Sequence, residues 1–286
     1  VIRLALRVRR EQAEIALADL LELAPSGVEE IEHDDQTVEY AVYGAPGELP
    51  DLPTLHASVG GALVQVSTSE VADDWRERWK LFHRPISLAA PAGGGAPALR
   101  LRPPWEPSLA GEQAQEIVID PGQAFGTGAH ATTKLCLCLL QQLCAEGVQG
   151  SLVDIGTGSG VLAIAAAKLG FAPVVALDHD PESVRAAREN AQVNAVQLDV
   201  TRSDLRWDSL PSLQGTTVLA NLLRPLLLEL SERIEQAPEH LVISGLLHQE
   251  TDEVVQAFAL RHGFSERLRL SEGEWAASWL STQPAH

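Results

Sequence analysis

Ten residues constrain this chain more than any other stretch: Leu152-Val153-Asp154-Ile155-Gly156-Thr157-Gly158-Ser159-Gly160-Val161. An apolar run closes on Asp154, three glycines follow at alternate positions, and Val161 to Leu169 is rich in helix formers. The order is strand, glycine loop, helix. Such an order forms the cradle of a nucleotide-type cofactor in an α/β fold. The spacing is G-x-G-x-G with Val161 next, so the strict G-x-G-x-x-G dinucleotide fingerprint is not met.

Alternating units continue beyond the cradle. Val174 to Leu177 reads as a strand ending at Asp178, Pro181 to Asn194 as a helix, Thr217 to Ala220 as a strand ending at Asn221, and Leu223 to Gln236 as a helix. His240 to Ser244 with Gly245, a helix over Gln249 to His262, and strands over Ser265 to Leu270 and Trp275 to Leu280 follow. This alternation predicts a mostly parallel sheet, and the final hairpin adds one antiparallel strand. Before the cradle, Glu116 to Asp120 reads as a strand and Lys134 to Glu146 as a helix. Between them runs Asp120-Pro121-Gly122-Gln123-Ala124-Phe125-Gly126-Thr127-Gly128-Ala129-His130-Ala131-Thr132-Thr133. A glycine-rich loop of that length is usually functional, and Thr132 and Thr133 are also suited to capping the helix that follows. Ala89 to Ala98, rich in Pro and Gly, is expected to be a flexible hairpin connection.

The first quarter has a different pattern. Ile2 to Val8, Val28 to Glu32, Thr37 to Tyr43 and Leu63 to Ser69 read as strands, and Glu11 to Leu23 and, less regularly, Leu55 to Gly60 as helices. The order β-α-β-β-α-β is that of a small ferredoxin-like α+β domain. With 286 residues two domains are expected: 1–70, a linker helix over 71–84 with Trp75 and Trp79 on one face, and 85–286.

The net charge of −18 argues against broad contact with nucleic-acid phosphates. Residues 1–70 carry four basic against thirteen acidic side chains, half of the excess, so a cationic partner would dock there. Cys136, Cys138 and Cys144 lie in one apolar stretch without the paired spacing of a zinc site, so no metal is expected. No apolar run approaches the roughly 18 residues that span a bilayer, and no signal-peptide core opens the sequence; the expected compartment is the cytoplasm. Val in first place without any Met points to a GTG start codon.

Asp154, Gly156, Asp178 and Asn221 all fall at strand ends, where an open α/β sheet binds its ligand. Asp178 follows Gly156 by 22 residues and can accept from both ribose hydroxyls of an adenosine cofactor. No P-loop lysine follows the glycines and no second phosphate-binding element is evident. A cofactor without phosphates fits best, S-adenosylmethionine (AdoMet), with main-chain amides after Gly156 on its carboxylate and the Asp204 to Trp207 region at its adenine edge.

The loop Asp120 to Thr133, the run Asp154 to Gly160 and Ala220-Asn221-Leu222-Leu223 together resemble the PrmA family, the ribosomal protein L11 methyltransferases. Two departures are Ala131, where that family usually has proline, and the longer Ala89 to Ala98 segment. The resemblance implies a class I, Rossmann-like AdoMet-dependent methyltransferase domain behind the small N-terminal domain. It implies methylation of lysine ε-amines and the N-terminal amine of L11, a basic partner recognised by residues 1–70. The acidic charge and the lack of a long apolar run predict no nucleic acid or membrane contact, and with no extra interface segment visible a monomer is expected. Cofactor contacts would be Thr133, Gly156, Gly158, Gly160, Asp154, Asp178 and Asn221. Asn221 and the Leu222 carbonyl would take the amine's hydrogens, and the loop from Phe125 to His130 would cover the reacting end. Two other readings remain: a related enzyme acting on another protein or nucleobase amine, and a non-catalytic module docking on the ribosome. Nucleobase enzymes commonly carry prolines and an aromatic after the strand-end Asn, where Leu222 and Leu223 stand here.

Overall fold

The computed structural model describes residues 2–10, 13, 29–32, 36–44, 55–59, 62–70, 84–109, 114–120 and 130–282. The chain forms two compact units, Val1–Phe82 and His83–His286.

In the first unit, strands β1 (Ile2–Arg9), β2 (Glu29–Glu32), β3 (Thr37–Gly44), β4 (Leu55–Val59) and β5 (Ala62–Glu70) form one sheet in the order β2-β3-β1-β5-β4. Every pairing is antiparallel. The order β2-β3-β1-β5 is what a β-α-β-β-α-β unit gives its four strands. The segment Leu55 to Gly60, expected to be a helix, is instead strand β4: Leu55 to Val59 pairs with Val66 to Ala62 in a tight hairpin. In the sequence only Gly60-Gly61 separates the two runs, a dipeptide pattern that reads as a hairpin signal. Leu6, Val8, Val38, Tyr40 and Val66 are buried, and Arg7 pairs with its cross-strand neighbour Glu39 at 2.9 Å. The helix expected over Glu11 to Leu23 and the linker helix with Trp75 and Trp79 lie outside the described residues, apart from helical Ala13.

The second unit is built on seven strands. They are β9 (Leu152–Ile155), β10 (Val174–Asp178), β11 (Asp199–Arg202), β12 (Thr217–Asn221), β13 (His240–Leu247), β14 (Ser265–Glu272) and β15 (Trp275–Ser281). Their order is β11-β10-β9-β12-β13-β15-β14, and β15 alone runs against the others. The chain steps outward from β9 through β10 to β11, then returns to β12 on the other side of β9. The reversal of strand order therefore lies between β9 and β12, where such sheets bind ligands.

Helices α1 (Ala131–Ala145), α2 (Val161–Lys168), α3 (Pro181–Val193), α4 (Arg224–Arg233) and α5 (His248–His262) cover the sheet. Alternation along β9 divides the core: Leu152 joins Leu139, Leu143 and Ile164 on one face, while Val153 and Ile155 join Leu227, Leu230 and Phe258 on the other. Asp154 thus points to the side of α1 and α2. Among the described residues, no helix is long and apolar enough to cross a membrane.

A second, three-stranded sheet, β6 (Ile86–Leu88), β7 (Ala98–Arg102) and β8 (Ala114–Val118), packs its Leu99, Leu101 and Ile117 into the first of these clusters. Glu116 on β8 binds Arg100 at 2.7 Å and Arg102 at 3.1 Å across to β7. Desolvation raises the Glu116 pKa, but hydrogen bonds from Arg102, Ser108 and Arg100 outweigh it and bring the value to about 2. The segment Ala89 to Ala98 is tied down rather than loose, against expectation. Buried Gln141 on α1 donates to the carbonyls of Ala89 (3.2 Å) and Pro97 (2.7 Å), and Gly95 sits so close to Ala145 that a Cβ would fall 2.9 Å from its Cα. Strand β11, which sequence patterning misses, is a short edge strand, Asp-Val-Thr-Arg, with only Val200 buried.

Candidate functional site

The glycine loop after β9 is held by main-chain contacts. Gly156, Gly158 and Gly160 have φ of +77°, +53° and +83°, in the left-handed region that glycine enters without a Cβ penalty. The N–H groups of Gly156 and Thr157 both donate to the Leu177 carbonyl, at 2.8 and 2.9 Å, and that of Gly158 to Asp178 Oδ2 at 2.8 Å. Gly160 begins α2 against α3, where an added Cβ would come within 3.1 Å of the Ala187 backbone. Asp178 Oδ1 accepts from the Asp180 N–H at 3.0 Å and lies 3.4 Å from His179 Nδ1. One hydrogen-bonded arrangement thus joins the loop and the β10 carboxylate before any ligand is considered.

Asp154 lies under this loop with no exposure to solvent. Its Oδ2 accepts from Thr157 Oγ1 at 2.7 Å, while Oδ1 has no hydrogen bond of good geometry among the described residues. Burial raises its pKa to about 7; the Thr157 hydroxyl and the Ala163 N–H oppose the shift, and the charge of Asp178 adds to it. The carboxyl is therefore poised near neutrality inside the fold, and it is not open to solvent. Cys136 of α1, also fully buried, has its thiol pushed up by the same desolvation.

Across the strand-order reversal, Asn221 ends β12. Its Nδ2 donates to Thr133 Oγ1 on α1 at 3.5 Å, so two distant expected site residues meet. His130 precedes α1 and caps it: Nδ1 accepts from the Thr132 N–H at 3.4 Å and lies 2.7 Å from Thr132 Oγ1. The expected capping role of Thr132 and Thr133 thus falls to His130, with Thr132 as donor, because His130 is the residue in extended conformation at the helix start. Its ring also meets Trp275 edge-on, centroids 4.8 Å apart. Phe125 and the rest of 121–129 lie outside the described residues.

Leu222 sits between the two halves. Its N–H donates to the Ser244 carbonyl at 3.0 Å, and its side chain reaches Gly156, where a Cβ would come within 2.4 Å of Leu222 Cδ2. Its carbonyl faces Gly245: a Cβ there would fall 2.3 Å from the oxygen. Gly245 has φ +85° and lies in the register shift between Ile243 and Leu246 where β13 pairs with β15. This bulge lets the Leu222 peptide approach. Sequence patterning assigns no role to Gly245; the available signal is a lone glycine within a strand pattern.

The region expected at an adenine edge, Asp204 to Trp207, follows β11. Asp204 holds Arg206 through two hydrogen bonds, at 3.0 and 2.9 Å. Those bonds, with the Arg206 N–H, bring its pKa to about 2. Trp207 is 79% exposed.

A profile of the family described as "Ribosomal protein L11 methyltransferase (PrmA)" matches residues 6–282. The ribosomal protein L11 methyltransferase of Heliobacterium modesticaldum is 39% identical over 210 residues, 72% of this chain and 63% of that protein. That of Citrifermentans bemidjiense is 40% identical over 193 residues, 65% of this chain and 60% of the relative. The chain thus spans about three-fifths of the length of these two relatives. A crystal structure of ribosomal protein L11 methylase from Lactobacillus delbrueckii subsp. bulgaricus matches with a TM-score of 0.54 at 31% identity, covering 64% of this chain and 93% of that one. With its glycine loop, its paired strand-end residues and a family match over nearly its whole length, the chain belongs to the ribosomal protein L11 methyltransferase (PrmA) family.

Proposed function

We propose that this chain transfers methyl groups from AdoMet to amines of ribosomal protein L11, the lysine ε-amines and the N-terminal α-amine. The observation that carries the reading is the meeting of Asn221 with Thr133 across from the glycine loop and Asp178, on a chain of this family. The donor set suits a phosphate-free adenosine cofactor. Asp178 keeps acceptor capacity beyond its two main-chain donors for ribose hydroxyls, and the run Gly156 to Gly160 contains no lysine or arginine to neutralise phosphates. Thr133, Gly156, Gly158, Gly160, Asp178 and Asn221 would hold it, with Asp154, also expected as a contact, supporting the loop from beneath through Thr157. Bound there, the cofactor supplies a methyl group on a sulfonium, ready for direct displacement.

The chain's own task is to present a neutral amine in line. Deprotonating a lysine of pKa about 10.4 costs roughly 4–5 kcal/mol at neutral pH. Burying it beside a positive charge lowers that cost, and alignment contributes about 7 kcal/mol of barrier reduction. Asn221 gives its Nδ2 to Thr133, which leaves Oδ1 to accept one amine hydrogen; the Leu222 carbonyl takes another. Asp154 is fully buried and bonded to Thr157, so it does not serve as base, and His130 Nδ1 is engaged in the cap; the proposed mechanism uses no dedicated base. In this reading His130 acts through α1, by fixing Thr133. The acidic residues of 1–70 attract the basic substrate, and 71–84 connects that unit to the catalytic one.

The test is incubation with labelled AdoMet and a mixture of ribosomal proteins and RNA, followed by mass spectrometry of labelled peptides. Label on L11 amines is expected; label on RNA, or on nothing, rejects the proposal. Asn221→Ala should reduce turnover by roughly 100-fold, and unchanged turnover would remove Asn221 from the mechanism.

A further inference from the structure

Two asparagines one helical turn apart, Asn190 within α3 and Asn194 at its end, are buried, and both direct their amides onto other segments of backbone. Asn194 clasps a single residue of β8: Oδ1 accepts from the Val118 N–H at 2.9 Å, and Nδ2 donates to the Val118 carbonyl at 2.6 Å and also to the Asn190 carbonyl of its own helix at 2.8 Å. Asn190 instead joins two segments. Its Oδ1 accepts from the Asp120 N–H at 3.3 Å, two residues beyond the end of β8, and its Nδ2 donates to the Ser159 carbonyl at 2.9 Å, between the second and third glycines of the loop. The partners fix the amide's orientation, because a peptide N–H only donates and a carbonyl only accepts.

We propose that Asn190 is a positioning residue of the methyl-transfer site, setting the register between Asp120 and the glycine loop; this rests on the cofactor reading given above. Asn194 by itself already fastens β8 to α3. What Asn190 adds is the tie to Ser159. The loop is also tied to β10, through the Leu177 carbonyl and the Asp178 carboxylate, and to β9, through the Thr157 hydroxyl on Asp154, and these ties hold Gly156, Thr157 and Gly158. The helical ladder of α2 begins one residue beyond Ser159, with the Ile164 N–H on the Gly160 carbonyl at 2.8 Å. Asn190 thus fastens the loop at Ser159 from the α3 side, and the same side chain holds the Asp120 N–H.

The two asparagines supply their own control. In the full chain, Asn190→Ala and Asn194→Ala each remove buried hydrogen bonds, and both should lower the melting temperature by several degrees. Titration calorimetry with AdoMet should separate them: Asn190→Ala weakens binding about tenfold, whereas Asn194→Ala leaves it near the wild-type value. Asn190→Asp keeps the acceptor for Asp120 but sets an oxygen against the Ser159 carbonyl, and should bind no better than the alanine variant. Where alanine at 190 does not fold, Asn190→Ser is compared with Asn194→Ser in the same way. Wild-type affinity in the Asn190 variants, or an equal loss in both series, overturns the inference while the cofactor reading stands. Failure of the wild-type chain to bind AdoMet overturns both.

Discussion

Leu222 lies between two glycines, and the two contacts differ in kind. At Gly156 the nearest atom to an added Cβ is Leu222 Cδ2, at 2.4 Å, with Cγ next at 3.5 Å. At Gly245 the nearest atoms are main chain: the Leu222 carbonyl oxygen at 2.3 Å, its carbon at 2.8 Å and its nitrogen at 3.1 Å. The first neighbour is the end of a rotatable side chain. The second is a peptide held by its own bond to Ser244 and by the start of α4 two residues later. Both glycines have positive φ, so each is favoured by its own conformation, but only Gly245 is also required by immovable backbone. The glycine loop at Gly156 can give slightly; the Leu222 peptide cannot.

Gly245→Ala should therefore have the largest effect. It must shift the Leu222 carbonyl by about an ångström, which costs on the order of 100-fold in kcat with little change in cofactor affinity. Equal losses in binding and turnover would break the distinction between the two glycines. Gly156→Ala comes next: left-handed strain of roughly 1–2 kcal/mol loosens the loop and weakens AdoMet binding about tenfold. Leu222→Ala sharpens the comparison, since it removes the side-chain atom that a methyl group added at Gly156 would strike and leaves the carbonyl that one added at Gly245 would strike. In double-mutant cycles it should recover about 0.5–1 kcal/mol in the Gly156→Ala background and nothing with Gly245→Ala. The same coupling in both cycles would mean that the two contacts are equivalent.

The same contrast explains what can be read from the sequence. Gly156, Gly158 and Gly160 stand together between an apolar strand and a helix, and Asp178 follows at the spacing of the next strand end, so one local pattern carries the β9–β10 half of the site. The meeting of Asn221 with Thr133 depends on two strand-end assignments and a family resemblance, since 88 residues separate the pair. Gly245 is legible only as the residue after an expected strand, because the peptide it accommodates is Leu222, at the end of a neighbouring strand. Asn190 reads as part of the polar face of a helix; it is buried because the chain leaving β8, remote in sequence, covers that face. Strand β4 misleads for a local reason: Leu-His-Ala-Ser-Val is too short for its period to decide between helix and strand, and the flanking prolines and glycines that crowd a helix there are the signal against it. Tertiary partners supply whatever the periodicity of one segment cannot.

The smallest effect is expected at His130, which caps the helix that carries Thr133. Its Nδ1 receives the Thr132 N–H, so that nitrogen must carry a lone pair and the neutral ring is the form that caps α1. Desolvation lowers the His130 pKa and Lys134 lowers it further, against an opposing contribution from Glu272. Folded protein therefore binds this proton less readily than unfolded chain, and its contribution to stability is complete above about pH 6.5 and lost as pH falls below that value. His130→Asn retains a good capping acceptor without a titrating ring, so at pH 8 its stability should lie within about 1 kcal/mol of wild type. In urea unfolding at pH 8 and pH 5.5, wild type should lose ground to His130→Asn at the lower pH. A difference that does not change with pH would separate the ring's titration from the cap. Methyl transfer at pH 8 gives the second readout: turnover close to wild type assigns His130 to the architecture that carries Thr133, whereas a loss of tenfold or more would assign it to the amine itself.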